Sequence, residues 1–324
     1  MPIQLADVGQ LSPNRQAFPF VRQLLEHSKQ LKVGIQKIGQ STVIDCGVDV
    51  PGSWQAGVLF AKICLGGLAE VTLNWSDFDG LRWPTVEVVT DHPVRACMAS
   101  QYAGWFIKKN KYSAMGSGPA RAVVQAEELF EKLGYKDSGD LAILCLEGSK
   151  LPTEEAVSWI VEKCRCPAEN IYILIAPTAS TVGSVQIAAR SVETGLHKLM
   201  ELGYDIGLIE SGWGMAPVPP VAENDLKALG RTNDAILYGT TVYYTLDDED
   251  ERIESLIGEV PSSSSRDYGV LFQELFERYG NFYDIDPLLF SPAQVWLSNK
   301  RSGRSFQAGE IRLDLLRQSF KLKG

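Results

Sequence analysis

The feature that most constrains the fold is a strand, a loop and a helix that follow one another in residues 171–200. The stretch begins with an apolar run, Ile171 to Ile175, which is typical of a strand buried on both faces of its sheet. The small and hydroxylated residues 176–183 predict a loop at the end of that strand. From about Ser184 the pattern becomes helical, with Ser184 or Thr181 as the predicted N-cap.

A row of polar side chains follows this predicted helix beside its apolar face. Gln186, Arg190, Glu193 and His197 recur at helical spacing and therefore share one side of the helix. Arg190 and Glu193 are three residues apart, so they are neighbours. One interpretation is a solvated face with an ordinary ion pair worth ~0.2–0.5 kcal/mol. The other is a pocket at the strand end, which the scarcity of other charged residues on this helix favours.

Length and charge limit the class of protein. A chain of 324 residues exceeds a typical single domain, so we expect two domains. The formal net charge of −9 argues against nucleic acid and anionic membranes as partners. No apolar stretch reaches the ~18 residues that span a bilayer, and residues 1–18 lack the pattern of a signal peptide. We therefore expect a cytoplasmic protein.

The six cysteines do not predict a metal site. Cys164 and Cys166 are the only close pair, and none of the three histidines is near them. A zinc site usually has two such pairs, or one pair with histidines at ligand spacing. We expect reduced structural thiols and no bound metal.

The order of predicted elements favours a mixed α/β fold, with two α/β domains side by side and a ligand cleft between them. Strands and helices alternate in the middle of the chain, which is typical of a parallel arrangement. We predict a discontinuous first domain, residues 1–90 plus 235–324, and an inserted second domain, residues 91–234. The inserted domain carries the helix with Arg190 and Glu193.

Several other segments have a predicted local structure. The apolar residues Val94 to Ile107 predict a buried helix, and Pro119 is placed to begin a helix that runs to Gly134. Gly116 to Gly118 would then present bare backbone N–H groups at a helix N-terminus, which suits binding of an anion or an amide-rich ring. The alternative is that these residues form a plain tight turn with no ligand. Residues 212–220 are too rich in glycine and proline for regular structure, whereas residues 235–246 predict a long strand.

Four separated segments together resemble one enzyme family. They are SQYAGW (100–105), MGSGPAR (115–121), APTASTVGSVQIAARSVETGLHK (176–198) and ALGRTNDAILYG (228–239). They are similar to motifs of methenyltetrahydromethanopterin cyclohydrolase. The resemblance implies an enzyme that adds water to the cationic methenyl bridge of a pterin and opens it to the 5-formyl form. It also implies a homotrimer.

The resemblance assigns roles to particular residues. It implies that Glu193 is the general base and that Arg190, from the same R-x-x-E motif, orients it. The substrate is a tetrahydromethanopterin derivative, and no metal or prosthetic group is implied. The weaker predictions are substrate contacts, which fall on Gln101, Gly116, Ser117, Gly118, Glu147, Ser184 and Gln186. For Glu147, which follows a buried strand, the start of an exposed loop is the alternative.

Two other functions remain open from the sequence. The same pocket could hold a pterin or a nucleotide without converting it, which would give tight binding and no hydrolysis. A different hydrolase or ligase could use the loop at Gly116 to Gly118 for phosphate, which would give a nucleotide-dependent activity.

Overall fold

The computed structural model describes residues 11–78, 80–280 and 284–322. Residues 1–10, which carry part of the signal-peptide expectation, lie outside the described residues. The described residues form two six-stranded sheets, each containing both parallel and antiparallel pairs, with helices around them. The predicted mixed α/β class is therefore confirmed. No helix of the described ranges is both long and apolar enough to cross a membrane.

The elements are as follows. The strands are β1 (Gly34–Ile38), β2 (Ser41–Asp45), β3 (Glu70–Phe78), β4 (Leu81–Thr90), β5 (Trp105–Lys109), β6 (Tyr112–Ser117), β7 (Ala142–Glu147), β8 (Ile171–Ala176), β9 (Ile209–Pro217), β10 (Thr241–Leu246), β11 (Gln294–Asn299) and β12 (Ser305–Gly309). The α-helices are α1 (Pro13–Glu26), α2 (Ser28–Leu31), α3 (Trp54–Cys64), α4 (Ala120–Val124), α5 (Leu129–Leu133), α6 (Glu154–Cys164), α7 (Thr181–Ala188), α8 (Ser191–Glu201), α9 (Asp225–Gly239), α10 (Asp250–Leu256), α11 (Phe272–Tyr279) and α12 (Leu313–Ser319). A π-helix covers Val94–Gln101.

The chain folds as two compact units. The first consists of the chain up to Glu70 together with Val94–Gln186, and the second of Val71–Pro93 together with the chain from Ile187 onward. These units differ in composition from the domains that we predict from the sequence. The predicted domain boundaries and the predicted ligand cleft stay predictions.

The first unit is a sheet with helices on both faces. Its strand order is β1-β2-β8-β7-β6-β5, with β2, β8 and β7 parallel to one another. Alternate residues of these three strands face opposite sides. Ile44 and Leu174 pack with α1 and α3, whereas Val43 and Ile173 pack with α6. This burial on both faces explains the continuous apolar run that predicts β8.

The sheet of the second unit has the order β12-β11-β10-β9-β4-β3. Its neighbouring strands are antiparallel wherever their register is described, except that β10 and β11 are parallel. Helices α8 and α9 contact β9. A second apolar cluster joins α9, α11 and α12 through residues such as Leu237, Phe272 and Leu316.

Many sequence predictions agree with these elements. Ser53 precedes a segment to about Cys64 that the sequence predicts to be helical, with Ser53 as its cap. It does cap α3, since its hydroxyl accepts a hydrogen bond from the N–H of Ala56 at 3.1 Å. The strands β7 and β8 are parallel, and α6 lies between them in the chain. The sequence also predicts a hairpin in which residues 294–298 and 305–308 pair across residues 299–304, and this hairpin is the antiparallel pair β11 and β12.

Two helix predictions are wrong. The segment Val94 to Ile107 is helical only up to Gln101, after which Trp105 begins the strand β5. The alternation of buried and exposed side chains from Trp105 to Ile107 is the strand signal that a buried-helix interpretation overlooks. The helix predicted after Pro119 is two short helices, α4 and α5, because Gln125 ends α4 in a left-handed conformation with φ of 54°.

One prediction of irregular structure and part of one strand prediction are also wrong. Residues 209–217 form β9 although they contain Gly212 and Gly214, because a helix packs against the glycines and replaces their missing side chains. Residues 235–239 are the end of helix α9 rather than a strand, and β10 begins only at Thr241. Asn224 fixes the start of α9 by accepting a hydrogen bond from the N–H of Lys227 at 3.0 Å.

A buried carboxyl group joins three helices of the second unit. Asp234 on α9 accepts a hydrogen bond from the N–H of Phe272, the first residue of α11, at 2.8 Å. Its other oxygen accepts one from the Ser319 hydroxyl, at the end of α12, at 2.6 Å. Burial raises the pKa of this carboxyl from its ordinary 3.8 to about 7.

We expect Asp234→Asn to make stability less dependent on pH. Because the folded protein holds this proton more tightly than the unfolded chain, stability falls as pH rises from about 4 to about 7. Asparagine can keep both hydrogen bonds and has no such proton to lose. Relative to wild type, the variant should gain up to ~4 kcal/mol in its free energy of unfolding between about pH 4 and pH 8. Denaturant titrations of both proteins would measure this, and a pH-independent difference would contradict it.

Candidate active site

The start of the predicted site helix differs from the prediction. Ser180, not Thr181 or Ser184, is the N-cap of α7: its hydroxyl accepts a hydrogen bond from the N–H of Gly183 at 2.9 Å. Its carbonyl accepts one from the N–H of Ser184 at 2.9 Å. The loop after β8 is therefore shorter than predicted, residues 177–180.

The predicted single helix is also two helices. The helix α7 ends at Ala188, and α8 begins at Ser191. Between them Arg190 has φ of −86° and ψ of 8°, and its N–H donates to the carbonyl of Ile187 at 2.9 Å, one residue tighter than an α-helical bond. Glu193 consequently lies in the first turn of a new helix. The partial positive charge at a helix N-terminus favours a carboxylate there.

Arg190 and Glu193 form a nearly buried ion pair. The Nη1 atom of Arg190 is 3.6 Å from Oε2 of Glu193, and the two side chains are only 11% and 6% exposed. The interpretation as a solvated surface pair is therefore wrong. The separation is longer than a hydrogen bond, so this pair is a charge contact rather than a forked one.

The rest of the polar row divides between other partners. Gln186 donates to Oε2 of Glu147 at 3.2 Å, whereas His197 lies 3.9 Å from Glu201 farther along α8. Within the row, Arg190 therefore pairs with Glu193, whereas Gln186 and His197 each contact a residue outside the row.

Glu147 marks the end of a parallel strand in the first unit. It is the last residue of β7, and its Oε1 accepts a hydrogen bond from the Thr178 hydroxyl at 2.5 Å, beyond the end of β8. Together with the contact from Gln186, this holds the carboxylate at the carboxyl edge of the sheet, where α/β proteins bind ligands. Glu147 therefore does not begin an exposed loop. Thr178 is a polar residue that the sequence reasoning missed, although its position directly after a buried strand is the signal that finds it.

The Gly116 to Gly118 segment is not a loop with bare N–H groups. Gly116 and Ser117 belong to β6, where Gly116 pairs with both Trp105 and Leu146. The N–H of Gly118 donates to the carbonyl of Ser100 at 2.8 Å. A helix, α4, does begin at Ala120, but the prediction of bare N–H groups before it is wrong. Gly116 and Ser117 pair within the sheet and the N–H of Gly118 bonds to the π-helix, which removes the argument for a phosphate loop.

The remaining predicted contact residues are buried. Gln101 ends the π-helix and is fully buried, and Ser184 on α7 is 3% exposed. The hydroxyl of Ser117 donates to the carbonyl of Cys145 at 3.4 Å. Substrate contacts by these residues and by the two glycines stay predictions.

The thiols and the acidic groups do not form a metal centre in the described part of the chain. It contains no group of three or more His, Cys, Asp or Glu side chains placed to hold an ion. All six cysteines are buried and without a disulfide. Burial raises the pKa of the Cys164 thiol to about 12, so this thiol is protonated at neutral pH.

A cavity of about 1000 Å³ lies elsewhere in the first unit. Trp105, Trp159 and Lys163 are among its lining residues. None of the predicted site residues lines this cavity, so its size does not make it the candidate active site.

Comparison with known proteins agrees with the motif resemblance. The sequence model of the family described as Cyclohydrolase (MCH) matches residues 12–320. The chain is 43% identical over 317 residues to the methenyltetrahydromethanopterin cyclohydrolase of Methanococcoides burtonii, with 97% of this chain and 99% of the relative covered.

Two further relatives carry the same name. The protein of Methanocaldococcus jannaschii is 43% identical over 316 residues, covering 95% of this chain and 98% of the relative. That of Methanosarcina barkeri is 41% identical over 318 residues, covering 97% of this chain and 99% of the relative. The similarity spans nearly the full length of all three relatives, and the chain therefore belongs to the methenyltetrahydromethanopterin cyclohydrolase family.

Proposed function

We propose that the protein hydrolyses the methenyl bridge of 5,10-methenyltetrahydromethanopterin to the 5-formyl form. The observation that carries the proposal is the nearly buried Arg190–Glu193 pair at the start of α8, in a chain of this family. A pair of charges so far removed from water is a poor way to gain stability, whereas it is common at sites of catalysis.

The chemistry needs a base but no covalent intermediate with the protein. The methenyl carbon carries part of the positive charge of the substrate, so it is already electrophilic. Water adds to this carbon while the Glu193 carboxylate takes one of its protons, which forms a neutral hydroxyl adduct. The hydroxyl of the adduct then loses its proton to solvent as its oxygen becomes the formyl carbonyl, and the bond from this carbon to N10 breaks. Protonated Glu193 returns its proton to N10, so the carbon stays on N5 as a formyl group and one proton is released overall. We therefore propose that no prosthetic group takes part.

Arg190 and Glu193 have distinct roles in this scheme. The negative charge of Glu193 also stabilises the cationic ring before water attacks. The neighbouring guanidinium keeps the carboxylate oriented, and a contact of 3.6 Å leaves that carboxylate less strongly paired than a forked hydrogen bond would. We propose Glu147 and Gln186 as substrate contacts, supported by their mutual hydrogen bond at the strand edge.

We also propose a cytoplasmic location and a homotrimer. The location is supported by six cysteines that form no disulfide, because oxidising compartments favour disulfides. An oligomer is supported by an exposed row on the second sheet in which Val89, Trp213, Tyr243 and Trp296 are successive cross-strand partners. These side chains are 36–53% exposed. A contiguous apolar row of this kind is typical of a protein interface, here with further copies of this chain.

Glu193→Gln should lower turnover by ~10²–10⁴-fold, because an amide cannot take the proton of the attacking water. The protein should remain folded, since the amide has nearly the same shape. Steady-state hydrolysis and circular dichroism of the variant would measure both. Glu201→Gln, an exposed residue on the same helix, is the matched control and should keep wild-type turnover. A wild-type rate in Glu193→Gln would refute the assignment.

Arg190→Lys should lower kcat/KM by at least ~10-fold. Lysine keeps the charge, but its ammonium is a compact point charge on a flexible stem, so it would not hold the charge at the place that the planar guanidinium occupies, 3.6 Å from Glu193. The control is Arg252→Lys, since Arg252 is an exposed arginine with an acidic neighbour, Asp248, at 3.4 Å. Equal kcat/KM values for both variants and wild type would show that a single positive charge suffices at position 190.

Tyr243→Lys should dissociate the oligomer, because it places a charge in the middle of the exposed row. Trp75→Lys replaces an aromatic side chain that is 63% exposed and outside the row, so it should leave the assembly intact. Light scattering of the purified proteins would give their masses. A trimeric Tyr243→Lys variant, or a monomeric wild type, would contradict this use of the row.

A further inference from the structure

The first turn of α8, which carries Glu193, lies on a part of β9 that has almost no side chains. A Cβ atom added to Gly212 would lie 2.6 Å from Cγ1 of Val192. One added to Gly214 would lie 2.3 Å from Oγ of Ser191. Both distances are far below van der Waals contact, so only glycine at these positions allows the helix to approach this strand so closely.

A tyrosine from the next strand holds the same turn. Tyr244 on β10 is fully buried, and its hydroxyl donates a hydrogen bond to the carbonyl of Val192 at 2.6 Å. Gly195 leaves room for the ring, because a Cβ atom there would lie 2.3 Å from the tyrosine oxygen. The backbone is thus held by a hydrogen bond one residue before Glu193 and by close contact two residues after it.

We infer that Tyr244 is a positioning residue for Glu193 and that Gly195, Gly212 and Gly214 shape the space that makes this possible. The hydroxyl contacts the peptide group adjacent to Glu193, so it acts through the backbone. This inference rests on the proposed role of Glu193 as general base. Misplacing a catalytic group by ~1 Å can lower a rate ~10²-fold. Loss of one hydrogen bond from an otherwise packed turn is a smaller disturbance, for which we expect about tenfold.

The test compares two buried tyrosines at different positions, each of which donates a hydrogen bond from its hydroxyl to a backbone carbonyl. Tyr244→Phe removes the hydroxyl and keeps the ring. Tyr238→Phe is the matched control: Tyr238 is also fully buried, and its hydroxyl donates to a backbone carbonyl, that of Val270, at 2.7 Å, in the cluster with α11 and α12. The Tyr238 hydroxyl also accepts a hydrogen bond from the N–H of Gly269 at 3.2 Å, so Tyr238→Phe should lose at least as much stability as Tyr244→Phe.

The expected kinetic result separates the two variants. Tyr244→Phe should lower kcat about tenfold and change KM less than about twofold, because the base is misplaced while substrate binding is kept. Tyr238→Phe should keep wild-type kcat. The inference is overturned if Tyr244→Phe keeps wild-type kcat, or if the two variants lose kcat equally.

A second measurement distinguishes positioning from a general loss of structure. In a Glu193→Gln background, Tyr244→Phe should cause no further loss of turnover, because the group that it positions is already gone. An equal fold-loss in both backgrounds would overturn the inference. If Glu193→Gln itself turns over at the wild-type rate, the proposed function fails. If Glu193→Gln is impaired and Tyr244→Phe is not, only the positioning role fails.

Discussion

The second unit contains an ion pair, Arg190 and Glu193, whose side chains are almost completely buried, and its packing must hold both charges in place. Removing each charge from water costs several kcal/mol, and the charge contact of 3.6 Å between them offsets part of that cost. The start of α8 adds a favourable field of ~0.3–1 kcal/mol for the carboxylate. Gly212 and Gly214 allow the first turn of this helix to lie close to β9, and the Tyr244 hydroxyl bonds the carbonyl of Val192 in the same turn.

The two sheets position different groups of side chains. In the first unit, the parallel strands are covered on both faces and end in polar side chains at one edge, among them Glu147 and Thr178. In the second unit, one face of the sheet supports the helix with the ion pair, and aromatic side chains are exposed in a row across the strands. Strand ends thus place the polar side chains of the first unit, and a helix start places the ion pair of the second.

The sequence predicts the parts of this structure that depend on local pattern. The apolar run of β8, the cap of α3 and the hairpin of β11 and β12 follow from periodicity and turn residues, and all are observed. That Arg190 and Glu193 lie next to each other also follows from their spacing of three residues. The burial of this pair does not, because an i,i+3 ion pair has the same sequence pattern on a solvated face and in a protein interior.

The errors have a common physical cause, which is contact with distant residues. The glycines of β9 look like an irregular linker until the helix that covers them is known. Gly116 and Ser117 look like a loop until their pairing with β5 and β7 is known. The break at Arg190 falls within an unbroken helical pattern, so no local residue preference marks it.

The most direct measurement of the central claim follows the methenyl chromophore after purified wild-type protein is mixed with methenyltetrahydromethanopterin. The account predicts catalytic loss of this chromophore as the 5-formyl product forms, at a rate well above that without protein. Stoichiometric binding of the substrate with no increase in the rate of chromophore loss would contradict it and would identify a pterin-binding protein instead.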